Sequence, residues 1–284
     1  MDGQICVVTG ATSGIGRAVA TALGRLGAQL VLVARDRDRG EATAAGLVAA
    51  GAPPPRLEIA DLASMTQVRA LADRLGALER IDVLVNNAGL LAGQRRVTAD
   101  GFEEVFAVNH LAPFLLTSLL LGTLTAAAPA RVITVTSGAH AAARLDLDDL
   151  QMEREWDPWR AYASSKLANI LFTRELARRL AGTGVTANCA HPGMVRTRFG
   201  REARLPMRAA VTLARPFMLS PERGASTIVY LATSPEVASA TGGYYVRRQQ
   251  REPSPAARDD TTAQRLWQLS AELTGLTPEH PART

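Results

Sequence analysis

Short apolar runs alternate along the chain with longer stretches in which apolar positions recur every three or four residues. Residues 5–8 form the first run, and residues 14–26 then set Ile15, Val19, Leu23 and Leu26 at a helical period before Gly27 ends the helix. The same reading predicts strands at 30–33, 56–59, 83–85, 131–136, 186–190 and 243–246. It predicts helices at 38–50, 66–75, 162–180 and 224–232, with one long helix or a kinked pair over 98–124. Residues 52–55, 198–208 and 247–255 read as irregular: a turn, a lid and a tail connector. Such alternation predicts a doubly wound parallel sheet with helices on both faces, a three-layer α/β/α architecture. A chain of 284 residues can bury a large core, and no Pro/Gly/Ser linker divides it, so residues 1–284 are expected to form a single domain.

In doubly wound sheets ligands bind beyond the carboxyl ends of the strands, near the point where strand order reverses. Gly10, Asp61, Asn87, Ser137 and His191 all fall at or just past predicted strand ends, so one crevice can hold them together. The turn Thr9-Gly10-Ala11-Thr12-Ser13-Gly14-Ile15-Gly16 follows a strand and opens a helix, which is the setting a dinucleotide-binding loop requires. Gly10 permits the tight turn and Gly14 lets backbone approach a pyrophosphate. The helix N-terminus adds unpaired N–H groups and a partial positive charge. The bland alternative is an ordinary strand-to-helix loop.

The end of the second strand bears on which nicotinamide nucleotide is used. A carboxylate there hydrogen-bonds the ribose of NAD, and an Arg accommodates the extra phosphate of NADP. The sequence runs Val33-Ala34-Arg35-Asp36. The guanidinium fork of Arg35 suits a phosphate, which favours NADP(H) over NAD(H), while Asp36 keeps the NAD reading open.

Tyr162 and Lys166 stand four residues apart on one helix face. A free phenol has a pKa of about 10 and is a poor base near neutrality. A cation one turn away, and an oxidised nicotinamide ring, favour its phenolate. Tyr162 can then exchange a proton with an alcohol or carbonyl oxygen, which Ser137 hydrogen-bonds and orients. An isolated Tyr/Lys pair would more often be solvated surface. Here a strand-end serine and a cofactor loop precede the pair.

These residues resemble the motifs of the short-chain dehydrogenase/reductase family over nearly the whole chain. The likeness is carried by Thr9-Gly10-x-x-x-Gly14-Ile15-Gly16, Asp61-Leu62, Asn86-Asn87-Ala88-Gly89, Asn109, Ser137, Tyr162-x-x-x-Lys166 and Pro192-Gly193. The resemblance implies a Rossmann-type fold in which Asp61 and Leu62 meet the adenine and the backbone of Asn87, Ala88 and Gly89 meets the adenosine ribose. Asn109 would kink its helix and hold a water that links Lys166 to solvent. Tyr162 and Lys166 would lie against the cofactor, Lys166 on the nicotinamide ribose. Pro192, Gly193, Val195 and Thr197 would line the carboxamide. The acidic residue of NAD-using members would fall at Ala34, so the pattern also supports NADP through Arg35, with Arg17 a weaker helper.

The stretches 108–117, 164–172 and 191–193 and the tail 265–275 are similar to retinol dehydrogenase-like members and to WW-domain-containing oxidoreductases. The wide spacing of Ser137 and Tyr162 is typical of that group and implies an insertion at 141–157 over the active site, beside a substrate lid at 198–220. Membrane-bound retinoid members usually carry an apolar N-terminal anchor, whereas this chain starts almost at its first strand. Family members commonly pair through the 115–124 helix and the Tyr-bearing helix, which implies a homodimer or homotetramer.

Composition changes this picture little. The formal charge of +5 comes almost wholly from arginines dispersed on helix faces, not from a run with interleaved aromatics, so nucleic acid is not an expected partner. Cys6 and Cys189 read as reduced, buried thiols. No signal peptide or membrane span is evident, since the apolar stretch 111–124 is short and contains Pro113, and a soluble cytoplasmic protein is expected. His110, His140 and His191 lack a ligand spacing and read as packing or pocket residues, with no metal site. The 115–124 stripe reads as interior packing or a partner-facing helix. Trp156 and Trp159 face substrate or cover the core, and Leu90, Leu91 and Phe199 hint at a hydrophobic substrate. The sequence therefore describes an NADP(H)-dependent oxidoreductase interconverting a small hydrophobic alcohol and its aldehyde or ketone. Two alternatives stand beside it: a nucleotide-sensing or interaction protein without chemistry, and a double-bond (enone) reductase.

Overall fold

A computed structural model describes residues 1–196 and 218–277. Eight strands form one sheet in the order β3-β2-β1-β4-β5-β6-β7-β8. They are β1 (Ile5–Thr9), β2 (Gln29–Ala34), β3 (Arg56–Ile59), β4 (Val83–Asn86), β5 (Ala130–Val135), β6 (Val185–His191), β7 (Tyr244–Val246) and β8 (Gln249–Arg251). The first seven pair in parallel and β8 returns antiparallel to β7. Strand order reverses between β1 and β4, which opens the crevice beyond their carboxyl ends.

The central strands are apolar almost without interruption because both faces of the sheet are covered. Alternate residues serve the two layers. Val7, Leu84 and Val132 face the side of α3 (Met65–Gly76), while Cys6, Val8, Val85 and Ile133 face α1 (Gly14–Arg25). The second layer also holds α2 (Arg37–Ala49) through Leu47. Both cysteines are free and buried, as expected.

The 98–124 region departs from a continuous helix. Helical structure begins only at α4 (Glu104–Phe106), passes through a π-helical turn over Ala107–Leu111, and continues as α5 (Ala112–Leu119) and α6 (Leu121–Ala126). Asn109 sits inside the π turn, and Pro113 follows directly at the start of α5. The Tyr-bearing helix, α7 (Pro158–Arg179), starts a turn earlier than predicted because Asp157 caps it, accepting from the N–H groups of Trp159 and Arg160.

The tail corrects the sequence reading most. Residues 247–255 are not a plain connector: Arg247 and Arg248 form the turn of a β7–β8 hairpin with φ of 52° and 63°. Beyond α8 (Pro221–Thr233) and this hairpin lies α9 (Asp260–Thr274), an element the periodicity did not reveal. Trp267 of α9 stacks on Phe172 of α7 at 5.9 Å and meets Phe114 of α5 edge-on at 4.9 Å. Arg179 lies 4.4 Å over the same indole, and His110 bonds Ser270 at 2.9 Å. The apolar positions of the 115–124 stripe are interior packing, mostly against α3, while the last described helix covers the neighbouring Phe114.

No helix among the described residues is long and apolar enough to cross a membrane.

Candidate functional site

The glycine turn is built by close packing. Gly10 and Gly14 take φ of 65° and 52°, a region costly for any residue with a Cβ. A Cβ on Gly16 would lie 2.3 Å from the Gly10 carbonyl oxygen, so only glycine lets α1 approach β1 this closely. Neighbouring loops lock the turn. Thr9 Oγ1 accepts the N–H groups of Asn87 at 2.9 Å and Ala88 at 3.0 Å, and Asn87 Nδ2 donates to the Thr9 carbonyl at 2.8 Å. The Asn87 side chain is therefore spent on the turn. Thr9 is a residue the sequence reading passed over, although its place at the strand end before Gly10 was visible.

At the mouth of this turn Ser13 precedes α1 in an extended conformation and makes no side-chain cap bond, so the first N–H groups of α1 face outward without that partner. Ile15 packs against the core. This is the donor set of an anion cradle, and it fits a pyrophosphate.

The second strand separates the two residues that sequence left competing. Asp36 is the N-cap of α2, its Oδ1 accepting from the Arg39 N–H at 3.0 Å. Arg35 is exposed just past β2 and has no hydrogen bond or ion pair with a described residue. Arg17 is exposed on α1 and shares a groove with Glu222 of α8, which draws on its charge. Past β3, Asp61 Oδ1 accepts the Ala63 N–H at 3.0 Å and Leu62 is buried in the core.

At the other end of the crevice Tyr162, buried on α7, lies near enough to the side chain of Ser137, which follows β5, for that hydroxyl to favour the phenolate. Lys166 Nζ stands 5.7 Å from the Tyr162 ring centroid and donates to the Val135 carbonyl at 3.2 Å. Asn109 completes the group: Oδ1 accepts the Leu90 N–H at 2.8 Å, and Nδ2 donates to the Leu90 carbonyl at 3.0 Å and to Ser165 Oγ at 2.9 Å. Gly89 is where these meet, since a Cβ there would lie 3.2 Å from Asn109 Oδ1 and 3.3 Å from Lys166 Nζ.

The electrostatics correct one expectation. The sequence reading has Lys166 pull the Tyr162 phenol down, yet burial pushes it up, and the Ser137 hydroxyl only partly opposes this. Burial also lowers Lys166 to about 8. In the protein alone, desolvation outweighs the cation.

The rim beside Tyr162 is apolar. Leu91, Tyr162 and Ala139 form one cluster, and the Trp159 ring, 43% exposed, lies 6.0 Å from that of Tyr162; Met194, after β6, is 65% exposed. The two tryptophans part ways, for Trp159 falls in the first turn of α7 and not in the insertion, whereas Trp156 donates to Glu103 Oε1 at 3.1 Å and covers core. The 141–157 segment encloses a cavity of about 220 Å³ against Ala161 and Ser164 of α7 and against α4. Ser164 is about 200° around the helix from Tyr162, so this cavity lies behind the reacting face. Pro192 and Gly193 follow β6, and Val195 pairs with Leu219. Thr197, Phe199 and most of the expected lid, 198–217, lie outside the described residues.

Comparison with known proteins points the same way. A family model described as short chain dehydrogenase matches residues 4–207. The chain is 43% identical to mouse retinol dehydrogenase 14 over 97% of its own length and 87% of that protein's. An uncharacterised protein of Mycobacterium paratuberculosis has a similar structure, with a TM-score of 0.79 and 36% identity, covering 97% of this chain and 94% of that one. A Beutenbergia cavernae protein described as an NAD(P)-dependent gluconate 5-dehydrogenase, solved with bound NADP at low occupancy, gives a TM-score of 0.72 at 30% identity, covering 87% and 96%.

Proposed function

Because the chain belongs to the short-chain dehydrogenase family, and within it is a retinol dehydrogenase-like oxidoreductase acting on CH–OH donors, we propose that it uses NADP(H) to interconvert a hydrophobic alcohol and its carbonyl compound. The observation that carries this reading is the grouping of Tyr162 with Ser137, and with Lys166 one turn along, at the strand ends that also bear the glycine turn. When bound, the nicotinamide nucleotide supplies or accepts the hydride at the carbonyl carbon.

The residues of the chain do the rest. The first turn of α1 holds the pyrophosphate through its backbone N–H groups, and the Gly10–Gly16 contact keeps that surface free of side chains. Arg35 takes the 2′-phosphate, for it has no partner among the described residues while Asp36 is committed to its helix cap. Burial keeps the Tyr162 phenol protonated near neutrality, the form that donates to a carbonyl oxygen. Ser137 fixes that oxygen, and Lys166 lies close enough to stabilise the phenolate left behind. Asn109 holds the Leu90 backbone and so shapes the wall next to Lys166. Leu91, Ala139, Trp159 and Met194 favour an apolar substrate, broader than the retinol of the relative's name.

Turnover of a panel of aldehydes, ketones and alcohols with NADPH and NADH tests this. Saturable reduction of carbonyls with NADPH is expected. Nucleotide binding with no turnover would mean a sensing protein, and activity confined to enones would mean a double-bond reductase.

A further inference from the structure

One peptide unit beside the reacting serine is held at both ends by imidazoles. The Ser137 carbonyl oxygen lies 2.8 Å from His140 Nδ1, and the N–H of the same peptide, that of Gly138, donates to His191 Nδ1 at 3.1 Å. The second contacts of each ring fix its tautomer. His140 Nε2 accepts the Ser254 N–H at 3.2 Å, so the His140 proton is on Nδ1 and is donated to Ser137. His191 Nδ1 accepts the Gly193 N–H as well, at 3.4 Å, so its proton is on Nε2. The two neighbouring histidines therefore carry opposite tautomers.

A peptide unit is planar, so holding its carbonyl and its N–H fixes the whole plane and with it the position of Ser137 Cα, while β5 holds the residue in extended conformation from the other side. We propose that His140 and His191 clamp the Ser137–Gly138 peptide and are positioning residues that set the Ser137 hydroxyl against Tyr162. This rests on the reading of Ser137 and Tyr162 as the reacting pair. The clamp also joins three parts of the chain. His191 links the serine loop to Gly193 on the loop after β6, and His140 links it to Ser254 on the approach to α9. Position 138 leaves no slack, since a Cβ there would lie 3.1 Å from His191 Nε2.

Both rings must be neutral to accept these N–H groups. Among the described residues, the titratable groups around them are each other, Tyr244 edge-on to His140 at 5.1 Å, and Tyr162 by way of Ser137. Burial lowers both, His191 to about 4 with a further contribution from His140, so the clamp persists through the neutral range.

Two measurements test it. Nitrogen-15 NMR of the histidines at pH 7 should find His140 protonated on Nδ1 and His191 on Nε2, which does not depend on any substrate. The reverse tautomer at either ring, or a charged imidazole, would overturn the clamp. In the turnover assay His191→Ala should lower kcat about 10- to 100-fold with the KM for NADPH changed less than about threefold, because misplacement of a reacting group mainly costs rate. His191→Asn returns an acceptor near the Nδ1 position and should recover most of that loss, whereas an Asn variant no better than Ala would also overturn the proposal. If wild type turned over nothing, the functional reading would fail while the NMR result still judged the clamp. The NMR measurement likewise decides if the Ala variant does not fold.

Discussion

The two ends of the crevice are built on opposite plans. At the Ser137 end, Tyr162, Lys166, Asn109 and His140 are buried, and each is tied to a side chain or a backbone carbonyl or N–H group nearby. At the β2 end, Arg35 stands in solvent with no described partner, and the nearest carboxylate, Asp36, is turned to its own helix. Dense wiring suits a place where a proton must be held to within fractions of an ångström. A free guanidinium suits recognition of a phosphate that arrives with its own charge, and it costs little to change. The first end is where the reaction is set and the second where the nucleotide is chosen.

The largest effect is expected at the wired end. Tyr162→Phe removes the hydroxyl and keeps the ring, so kcat should fall about 10²- to 10⁴-fold while NADPH still binds by fluorescence titration. Retained turnover would mean that another group moves the proton. Acid should also act there and spare the Arg35 end. His140 and His191 have folded pKa values below the ordinary 6.5, His191 at about 4, so the unfolded chain binds more protons between those values. Stability should therefore decline as pH falls from 6.5 to about 4 and be fully present above 6.5, which thermal melts across that range would follow. His110, also lowered to about 4 by burial, contributes in the same direction. Arg35→Ala should raise the KM for NADPH about tenfold, roughly 1.4 kcal/mol, and leave NADH nearly unchanged, while equal losses for both would sink the phosphate assignment. Arg17→Ala should matter least, under about threefold on NADPH, because Glu222 already shares its charge.

Much of this was legible before any coordinates. Strands β1 to β6 lie on the short apolar runs, four of which lead to Gly, Asp, Asn or Ser, and the Gly10 to Gly16 turn and the Tyr162/Lys166 pair were local patterns. Other features depend on contacts that spacing does not encode. Nothing in the 52 intervening residues shows that Gly138 will meet His191, and only helix capping decides that Asp36 is turned away from Arg35. The expected acidification of Tyr162 failed because one-turn proximity was legible and the depth of burial was not. Helix α9 escaped notice for another reason. Its inward positions include Ala263, Ser270, Ala271 and Thr274, small or hydroxyl-bearing residues that blur the apolar stripe around Leu266 and Trp267.

That helix has a consequence for how the protein is handled and made. Since Trp267 closes the ring of Phe114 and Phe172, the outer wall of the Tyr162 helix is finished only after residues 260–274 have been synthesised. Until they leave the ribosome, a broad greasy strip stays open to solvent. A truncation ahead of Asp260 would make that strip permanent and favour clumping over solubility.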